Sequence, residues 1–219
     1  MTGRSRSRAL TRFLASVRAD HEFMRATRER YPTQGSSMRS AGLLSDAVQK
    51  IGFQMLIAVR AMRLARELRI PFGGPIVSRL IRHAYGAEIH WDATIADGIG
   101  IVHGVGIVIS HGAVVGAGCL LSQNITLGES IDPFTRMVGA PTLGSNVHVG
   151  AGAVLLGPIN VGKETKVMAN VVLDRSVPER SIVRGTAATI EARAASAQGM
   201  ENPTPKAAIV GTHDGADAS

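Results

Sequence analysis

The feature that most constrains the fold is an aliphatic residue that returns every six positions between residues 89 and 173. Two phase shifts interrupt the series, yet every member is Ile, Leu or Val. A period of six fits neither the 3.6-residue turn of an α-helix nor a simple array of hairpins, and it is typical of a parallel β-helix. The members are Ile89, Ile95, Ile101, Ile107, Val115, Leu121, Leu127, Leu143, Val149, Leu155, Val161, Val167 and Leu173.

Each six-residue unit predicts a short strand followed by a turn, and three units close one triangular coil with the aliphatic side chain inside. The composition suits such a narrow core, because the chain has 25 glycines for tight corners and only 4% aromatic residues. Cys119 is the only cysteine, so no intrachain disulfide can form, which fits a reducing compartment. We expect Cys119 to pack inside a coil as a small apolar group.

The segments outside the repeat define four predicted regions. Residues 1–40 are expected to form a basic, weakly structured tail with a short helix near 12–30, and residues 41–87 a helical hairpin. Residues 88–186 form the β-helix, from which the segment 129–142, with two prolines, leaves as an extruded loop. Residues 187–219 are expected to form a short helix over 187–197 followed by a disordered tail.

The charge is divided unevenly, with 16 Lys+Arg against 5 Asp+Glu in residues 1–87 and 8 against 12 in residues 88–219. In the predicted helix 43–70, the arginines at 60, 63, 66 and 69 line one face. That face could contact an anionic membrane surface, or it could be the solvated side of a packing helix. No apolar run approaches the roughly 18 residues of a membrane span, and no nucleic-acid-binding motif is present. We expect a cytoplasmic protein, with contact at the inner membrane face left open.

Four stretches narrow the class of β-helix: EIHWDATIADGIGIVHGVGIVI, QNITLGE, PTLGSNVHVGAGAVLLGPINVG and VPERSIVRGTAA, which lie between residues 88 and 188. Together they resemble the serine acetyltransferase family of hexapeptide-repeat acyltransferases, and in pattern its exopolysaccharide-modifying, colanic-acid-type branch. The resemblance implies a left-handed β-helix, a homotrimer that could pair further, and acetyl-CoA as co-substrate. It implies no metal, and the spacing of the histidines does not suggest a zinc site.

The same resemblance implies the site residues. It makes His103 the general base and Glu88 its partner carboxylate, where serine-specific members usually have Asp. A neutral imidazole is a suitable acceptor for the proton of an alcohol near physiological pH, so the assignment is chemically reasonable. For the co-substrate, it places the amides of pantetheine at Ala151 and Ala169, and Lys166 near the end of the CoA molecule. His111 and His148 are not expected to take part, because no carboxylate pairs with them in the sequence pattern.

Two departures from the family pattern affect the acceptor. Val102 stands where serine-specific members carry the aspartate that holds the substrate amine, and Ala140 where they carry the histidine that meets its carboxylate. The terminal isoleucine used to dock cysteine synthase is also absent, so no such docking is expected. Three hypotheses therefore stay open: an O-acetyltransferase acting on a sugar hydroxyl in exopolysaccharide assembly, a serine O-acetyltransferase of cysteine biosynthesis with a divergent pocket, or a catalytically silent β-helix scaffold.

Overall fold

The computed structural model describes residues 3–30, 42–132 and 135–186, so the helix expected over 187–197 and the disorder expected over 198–219 lie outside the described residues. The described chain forms helices first and short strands afterwards. The helices are α1 (Gly3–Arg30), α2 (Leu43–Gln49), α3 (Ile51–Glu67) and α4 (Gly73–Tyr85). The strands of the first coils are β1 (Glu88–Ile89), β2 (Thr94–Ile95), β3 (Gly100–Ile101), β4 (Val108–Ile109), β5 (Val114–Val115), β6 (Leu120–Leu121) and β7 (Thr126–Gly128). The others are β8 (Ser130–Ile131), β9 (Val138–Gly139), β10 (Thr142–Leu143), β11 (His148–Val149), β12 (Val154–Leu156), β13 (Asn160–Val161), β14 (Lys166–Val167), β15 (Val172–Leu173) and β16 (Ile182–Val183).

The strands form the three faces of a prism. Sheet A has the order β1-β4-β7-β12-β15, sheet B the order β2-β5-β10-β13, and sheet C the order β3-β6-β11-β14-β16. All neighbours within these sheets are parallel, and the chain visits A, B and C in turn, so the five strands of sheet A mark five coils. The parallel β-helix that the sixfold period predicts, preceded by helices, is confirmed. We name the corners A–B, B–C and C–A after the faces that they join.

The inward side chains stack in register along each face, and one detail of the predicted phase is wrong. Ile89 lies beside Ile109, and Ile109 beside Leu127, on three successive coils of sheet A. Ile107, which the period places in this column, is instead buried immediately before the strand, two residues ahead of Ile109. The phase shift therefore occurs between Ile101 and Ile109, inside the turn that carries His103. Each such buried aliphatic side chain stabilises the fold by about 1.5–3 kcal/mol.

The first helix departs most from the sequence-based expectation. The segment expected to be a weakly structured tail contains α1, which runs from Gly3 to Arg30. Its anchor is a fully buried ion pair, in which Arg60 Nε of α3 donates to Asp20 Oδ2 of α1 at 2.8 Å. Arg60 also donates to the backbone carbonyl oxygens of Ile95 and Ala96 in the first coil. These contacts are long-range in sequence, which is why local composition gave no sign of them. The division of the chain into regions 1–40, 41–87, 88–186 and 187–219 remains a prediction from the sequence.

The predicted helix 43–70 is broken and differently oriented. Lys50 has an extended backbone that separates α2 from α3, and Leu44 and Val48 of α2 are largely exposed. At the start of α3, a Cβ on Gly52 would collide with the carbonyl oxygen of Ile101, so the glycine permits close packing on the β-helix.

The arginine face of α3 points at the protein rather than at a membrane. Besides the buried Arg60, Arg63 pairs with Asp97 at 2.9 Å and Arg66 with Asp92 at 3.2 Å. Because these cations are engaged by carboxylates of the first coil, the structure gives no support to the membrane-facing interpretation of this helix. Among the described helices, none combines the length and apolar character needed to cross a bilayer.

The extruded loop and the cysteine follow the sequence-based expectation more closely. The chain leaves the A–B corner of the third coil after β7 and forms an antiparallel hairpin, in which Ser130 pairs with Gly139 and Ile131 with Val138. It returns to the coil at β10. Cys119 has no exposed surface, and burial raises the pKa of its thiol to about 11. The cysteine therefore packs inside the coil as a neutral group, as predicted.

Candidate functional site

The turn that carries His103 is the longest of the C–A turns. From the inward residue of sheet C to that of sheet A, the first coil takes eight residues, from Ile101 to Ile109, whereas the next takes six, from Leu121 to Leu127. The two additional residues are accommodated with His103 at φ 66°, in the left-handed region that costs free energy for a residue with a side chain. The imidazole is exposed, and no described residue forms a hydrogen bond with it.

Glu88 lies at the same corner but contacts another residue. Its backbone N–H donates to the carbonyl oxygen of Ile107 at 2.7 Å, just after the His103 turn. Its carboxylate accepts from Arg82 of α4 at 2.6 Å, and both side chains are about half exposed. The fold therefore brings Glu88 and His103 to one corner of the prism without forming the carboxylate–imidazole contact that the resemblance implies.

Ala151 and Ala169 lie along the same C–A corner, on later coils. The backbone N–H of Asn124 donates to Val105 in the His103 turn, that of Gly152 to Gln123, and that of Asn170 to Ala151. These bonds stack the four turns, so the small residues form a column along the corner from His103. Their short side chains leave the backbone groups accessible to a ligand.

Lys166 lies on sheet C, beside His148 on the neighbouring strand. It is exposed and forms no ion pair with any described residue, whereas Lys163 is bound to Glu179 at 3.2 Å. Burial, with the charges of Lys166 and Arg30, lowers the pKa of His148 below its ordinary value. The ammonium group of Lys166 is thus available to an anionic ligand, while His148 is held neutral beside it.

One histidine–carboxylate pair at the surface was not predicted from the sequence. His111 Nδ1 lies 3.2 Å from Glu129 Oε2 at the A–B corner, so the expectation that no carboxylate pairs with His111 is wrong. A signal was available in the repeat, because one coil without insertions spans eighteen residues, as from Ile109 to Leu127. His111 and Glu129 are also eighteen residues apart and therefore stack on adjacent coils.

A concavity on the described surface lies away from His103. A cleft of about 400 Å³ lies between the C-terminal end of α1 and the B–C corner, lined by Phe23, Arg30, Asn146 and His148 among others. It is open, and its imidazole, His148, pairs with no carboxylate among the described residues. The described residues also contain no cluster of three or more His, Cys, Asp or Glu that could hold a metal ion. His103, Glu88 and the pair His111–Glu129 lie instead at exposed corners of the prism.

Comparison with known proteins gives a consistent result. The chain is 38% identical over 134 residues to a serine acetyltransferase of Synechococcus elongatus, a match covering 61% of this chain and 54% of that protein. It is 35% identical over 139 residues to a serine acetyltransferase of Helicobacter pylori, covering 63% of this chain and 79% of that protein. The chain thus spans about half the length of the first relative and most of the second. No family model matches the chain.

Solved structures support the same assignment. A serine acetyltransferase of Neisseria gonorrhoeae in complex with serine superimposes with a TM-score of 0.66 and 26% identity, covering 84% of this chain and 72% of that one. A serine acetyltransferase in complex with CoA gives a TM-score of 0.62 and 28% identity, covering 78% of this chain and 66% of that one. The fold is the left-handed parallel β-helix that the resemblance implies, and the chain belongs to the serine acetyltransferase family.

Proposed function

We propose that the protein is an acetyl-CoA-dependent O-acetyltransferase with L-serine as its acceptor. The relatives named serine acetyltransferase, and the similar structures with serine and with CoA, support this acceptor and this donor. The observation that carries the proposal is the exposed, unpartnered imidazole of His103 in the extended C–A turn, in the same column as Ala151 and Ala169.

His103 acts as the general base. It takes the proton of the acceptor hydroxyl as the oxygen attacks the acetyl carbon of the thioester, and it returns that proton to the sulfur as the C–S bond breaks. Such proton transfer accelerates a reaction by about 10²–10⁴-fold. No covalent enzyme intermediate is required, because the acceptor oxygen attacks the thioester directly.

Glu88 is the positioning carboxylate of this proposal. A carboxylate on the second ring nitrogen fixes the tautomer of the imidazole and stabilises the imidazolium that forms. The position of Glu88 at the C–A corner supports this role, although its carboxylate is bound to Arg82. Glu88 therefore exchanges Arg82 for His103 when the complete site forms.

The donor binds along the C–A corner. The exposed backbone beside Ala151 and Ala169 offers hydrogen bonds to the amides of pantetheine, and Lys166 offers a cation to the CoA phosphates. The lack of an ion-pair partner for Lys166 among the described residues supports this assignment. A phosphate group and an ammonium ion attract each other as point charges, so the contact fixes the end of the donor without demanding a rigid geometry.

A second copy of the chain completes the site. His103 projects at the C–A corner, whereas the extruded hairpin leaves at the A–B corner, and sheet A separates the two in one chain. An acceptor held between the base and the hairpin therefore requires a neighbouring subunit. The homotrimer, with further pairing of trimers left open, provides this arrangement three times.

The test is release of free thiol from acetyl-CoA by the purified protein, with L-serine beside a panel of sugars and nucleotide sugars. We expect turnover with serine, and a loss of about 10²–10⁴-fold in kcat for His103→Ala. The matched control is His83→Ala, because His83 is an exposed histidine on α4 without a polar partner among the described residues. Near-normal turnover by a folded His103→Ala variant would contradict the proposal.

A second acceptor class has specific support. Val102 and Ala140 replace the charged groups expected for a free amino acid, and the hairpin presents the exposed apolar side chains of Ile131, Met137 and Val138. A neutral hydroxyl compound, such as a sugar of exopolysaccharide assembly, suits such a lining better than a zwitterion does. In the same thiol assay, turnover with a sugar and not with serine selects this candidate.

A further inference from the structure

Three polar side chains stack at the A–B corner, on the first three coils. His111 Nδ1 and Glu129 Oε2 lie 3.2 Å apart, and the two side chains are 55% and 37% exposed. The ring of His90 lies edge-on to that of His111, with centroids 5.6 Å apart. His90 is itself fixed, because its Nδ1 accepts a hydrogen bond from the backbone N–H of Asp92 at 3.1 Å. The pair is thus accessible to solvent and supported from one side.

The pair also lies at the base of the extruded hairpin. Glu129 immediately precedes β8, on the outgoing side of the hairpin. On the returning side, a Cβ built on Gly112 would lie 3.4 Å from the Cβ of Ala140, so the turn that carries His111 touches the end of the hairpin. His111 and Glu129 therefore lie beside the base of the hairpin.

Binding an α-amino acid requires one partner for its ammonium group and one for its carboxylate. The amino acid carries both groups on one carbon, and burying either without a partner of opposite charge is costly. Val102 and Ala140 provide no charge, and the carboxylate of Glu88 is assigned to His103. His111 and Glu129 present a potential cation and an anion side by side, in the arrangement that complements a zwitterion.

We propose that His111 binds the carboxylate of L-serine and Glu129 its ammonium group, in a site completed by the partner subunit's His103. The inference rests on the proposed function, because it requires serine as the acceptor. It assigns to the A–B corner the two charged contacts that Val102 and Ala140 cannot make. The zwitterion replaces the contact between His111 and Glu129 with one contact to each side chain, so neither is left without a partner.

The first experiment combines variants with truncated acceptors. We expect His111→Ala and Glu129→Gln each to raise the KM for serine by about 10- to 100-fold, because each removes one charged hydrogen bond. The KM for acetyl-CoA stays unchanged. Ethanolamine lacks the carboxylate of serine, so we expect His111→Ala to leave the KM for ethanolamine unchanged. 3-Hydroxypropanoate lacks the amine, so we expect Glu129→Gln to leave the KM for 3-hydroxypropanoate unchanged.

Matched controls separate binding from folding. Glu29→Gln removes an exposed carboxylate paired only with Arg25 on α1, and His83→Ala removes an exposed histidine on α4. Both controls keep the wild-type KM for serine. A structural role for His111 and Glu129 would instead affect all three acceptors equally, and that result overturns the inference.

The second experiment tests the contribution of two copies. The double variant His111→Ala/Glu129→Gln is co-expressed with His103→Ala, each with its own affinity tag, and mixed assemblies are isolated with both tags. We expect the mixed assemblies to be more active at low serine concentration than assemblies of either variant alone. Some of their sites combine an intact His103 from one subunit with intact His111 and Glu129 from another. An intact site cannot arise in these mixtures if all three groups act within one chain, so absence of recovery overturns the two-copy site.

The outcomes distinguish the inference from the proposed function. Absence of serine-dependent thiol release by the wild type overturns both. Release that depends on His103, with a KM for serine that neither His111→Ala nor Glu129→Gln changes, overturns the inference alone. A rise in the KM for serine in each variant, without a rise for the acceptor that lacks the corresponding charged group, supports both.

Discussion

The buried pair between Asp20 and Arg60 permits a quantitative test of how the helices hold the β-helix. Asp20 is 0% and Arg60 1% exposed. Asp20 Oδ1 accepts from Arg60 at 2.9 Å and from the backbone N–H of Gly98 at 2.8 Å, while Oδ2 accepts from Arg60 Nε at 2.8 Å. Asp20→Asn preserves the shape of the side chain but removes its charge. It leaves the buried guanidinium of Arg60 with only the half-exposed carboxylate of Asp97, whose Oδ1 lies 3.4 Å from Arg60 Nη1.

The expected loss is large. Removing one partner of a buried ion pair costs about 3–5 kcal/mol, because the remaining charge is desolvated and loses its buried counter-ion. Asp97, whose side chain is 42% exposed, compensates only part of the charge of Arg60. For a domain of this size, 1 kcal/mol shifts Tm by about 2–4 °C, so the variant should melt roughly 6–20 °C lower. Urea unfolding, followed by the fluorescence of Trp91, gives the free energy directly, since Trp91 is the only tryptophan and packs against Gly74 of α4.

Two further variants make the result decisive. Glu67→Gln removes an ion pair of similar length, 2.9 Å, to Arg12, whose side chain is 62% exposed, and we expect it to cost at most about 1 kcal/mol. The double variant Asp20→Leu/Arg60→Met removes both charges and should recover part of the loss, because an apolar pair needs no counter-ion, although the backbone groups of Gly98, Ile95 and Ala96 lose their side-chain partners. Asp20→Asn costing no more than Glu67→Gln would refute the reasoning.

Three predictions concern titratable groups. Burial raises the pKa of Cys119 to about 11, so we expect no reaction with a thiol reagent at pH 8 in the native protein and complete reaction in urea; rapid native labelling would contradict the buried position. Burial would raise the pKa of Asp46, but the hydrogen bond and charge of Arg28, with His21, lower it below the ordinary 3.8. Its contribution is therefore present above that value and lost as pH falls further, and Asp46→Asn should flatten the acid limb of a plot of urea midpoint against pH. Burial, with two nearby cations, lowers the pKa of His148 below 6.5, so stability should decline as pH falls below 6.5, and His148→Gln should remove that slope.

The sequence predicts the β-helix because its core obeys a local rule. Each inward position needs only an aliphatic residue, and the position six residues on repeats the same environment. The register between adjacent coils also follows from the period. Leu127 pairs with Leu155 on the next coil, although the extruded hairpin lies between them in the sequence. The resemblance added His103 and Glu88, which the structure places at one corner of the prism.

The helical layer could not be predicted in the same way. The pairing of Asp20 with Arg60 spans 40 residues and depends on the close approach of two helices and a turn. An arginine on an amphipathic helix looks solvent-facing in sequence, since only tertiary packing decides that Arg60 is buried. The break at Lys50 is similarly invisible, because no proline marks it.

Departures from the repeat locate the candidate site better than the repeat itself does. A coil that keeps the six-residue period is explained by core packing alone. An insertion adds residues that do not contribute to the core, so core packing does not explain it. The described β-helix has two such departures next to reactive groups: the two additional residues of the His103 turn, and the hairpin that follows Glu129. They lie at different corners of one prism, and neither corner alone combines a base with partners for a charged acceptor. Both departures serve one reaction only where two copies bring those corners together, which is why recovery of activity in mixed assemblies is the sharper test of the site.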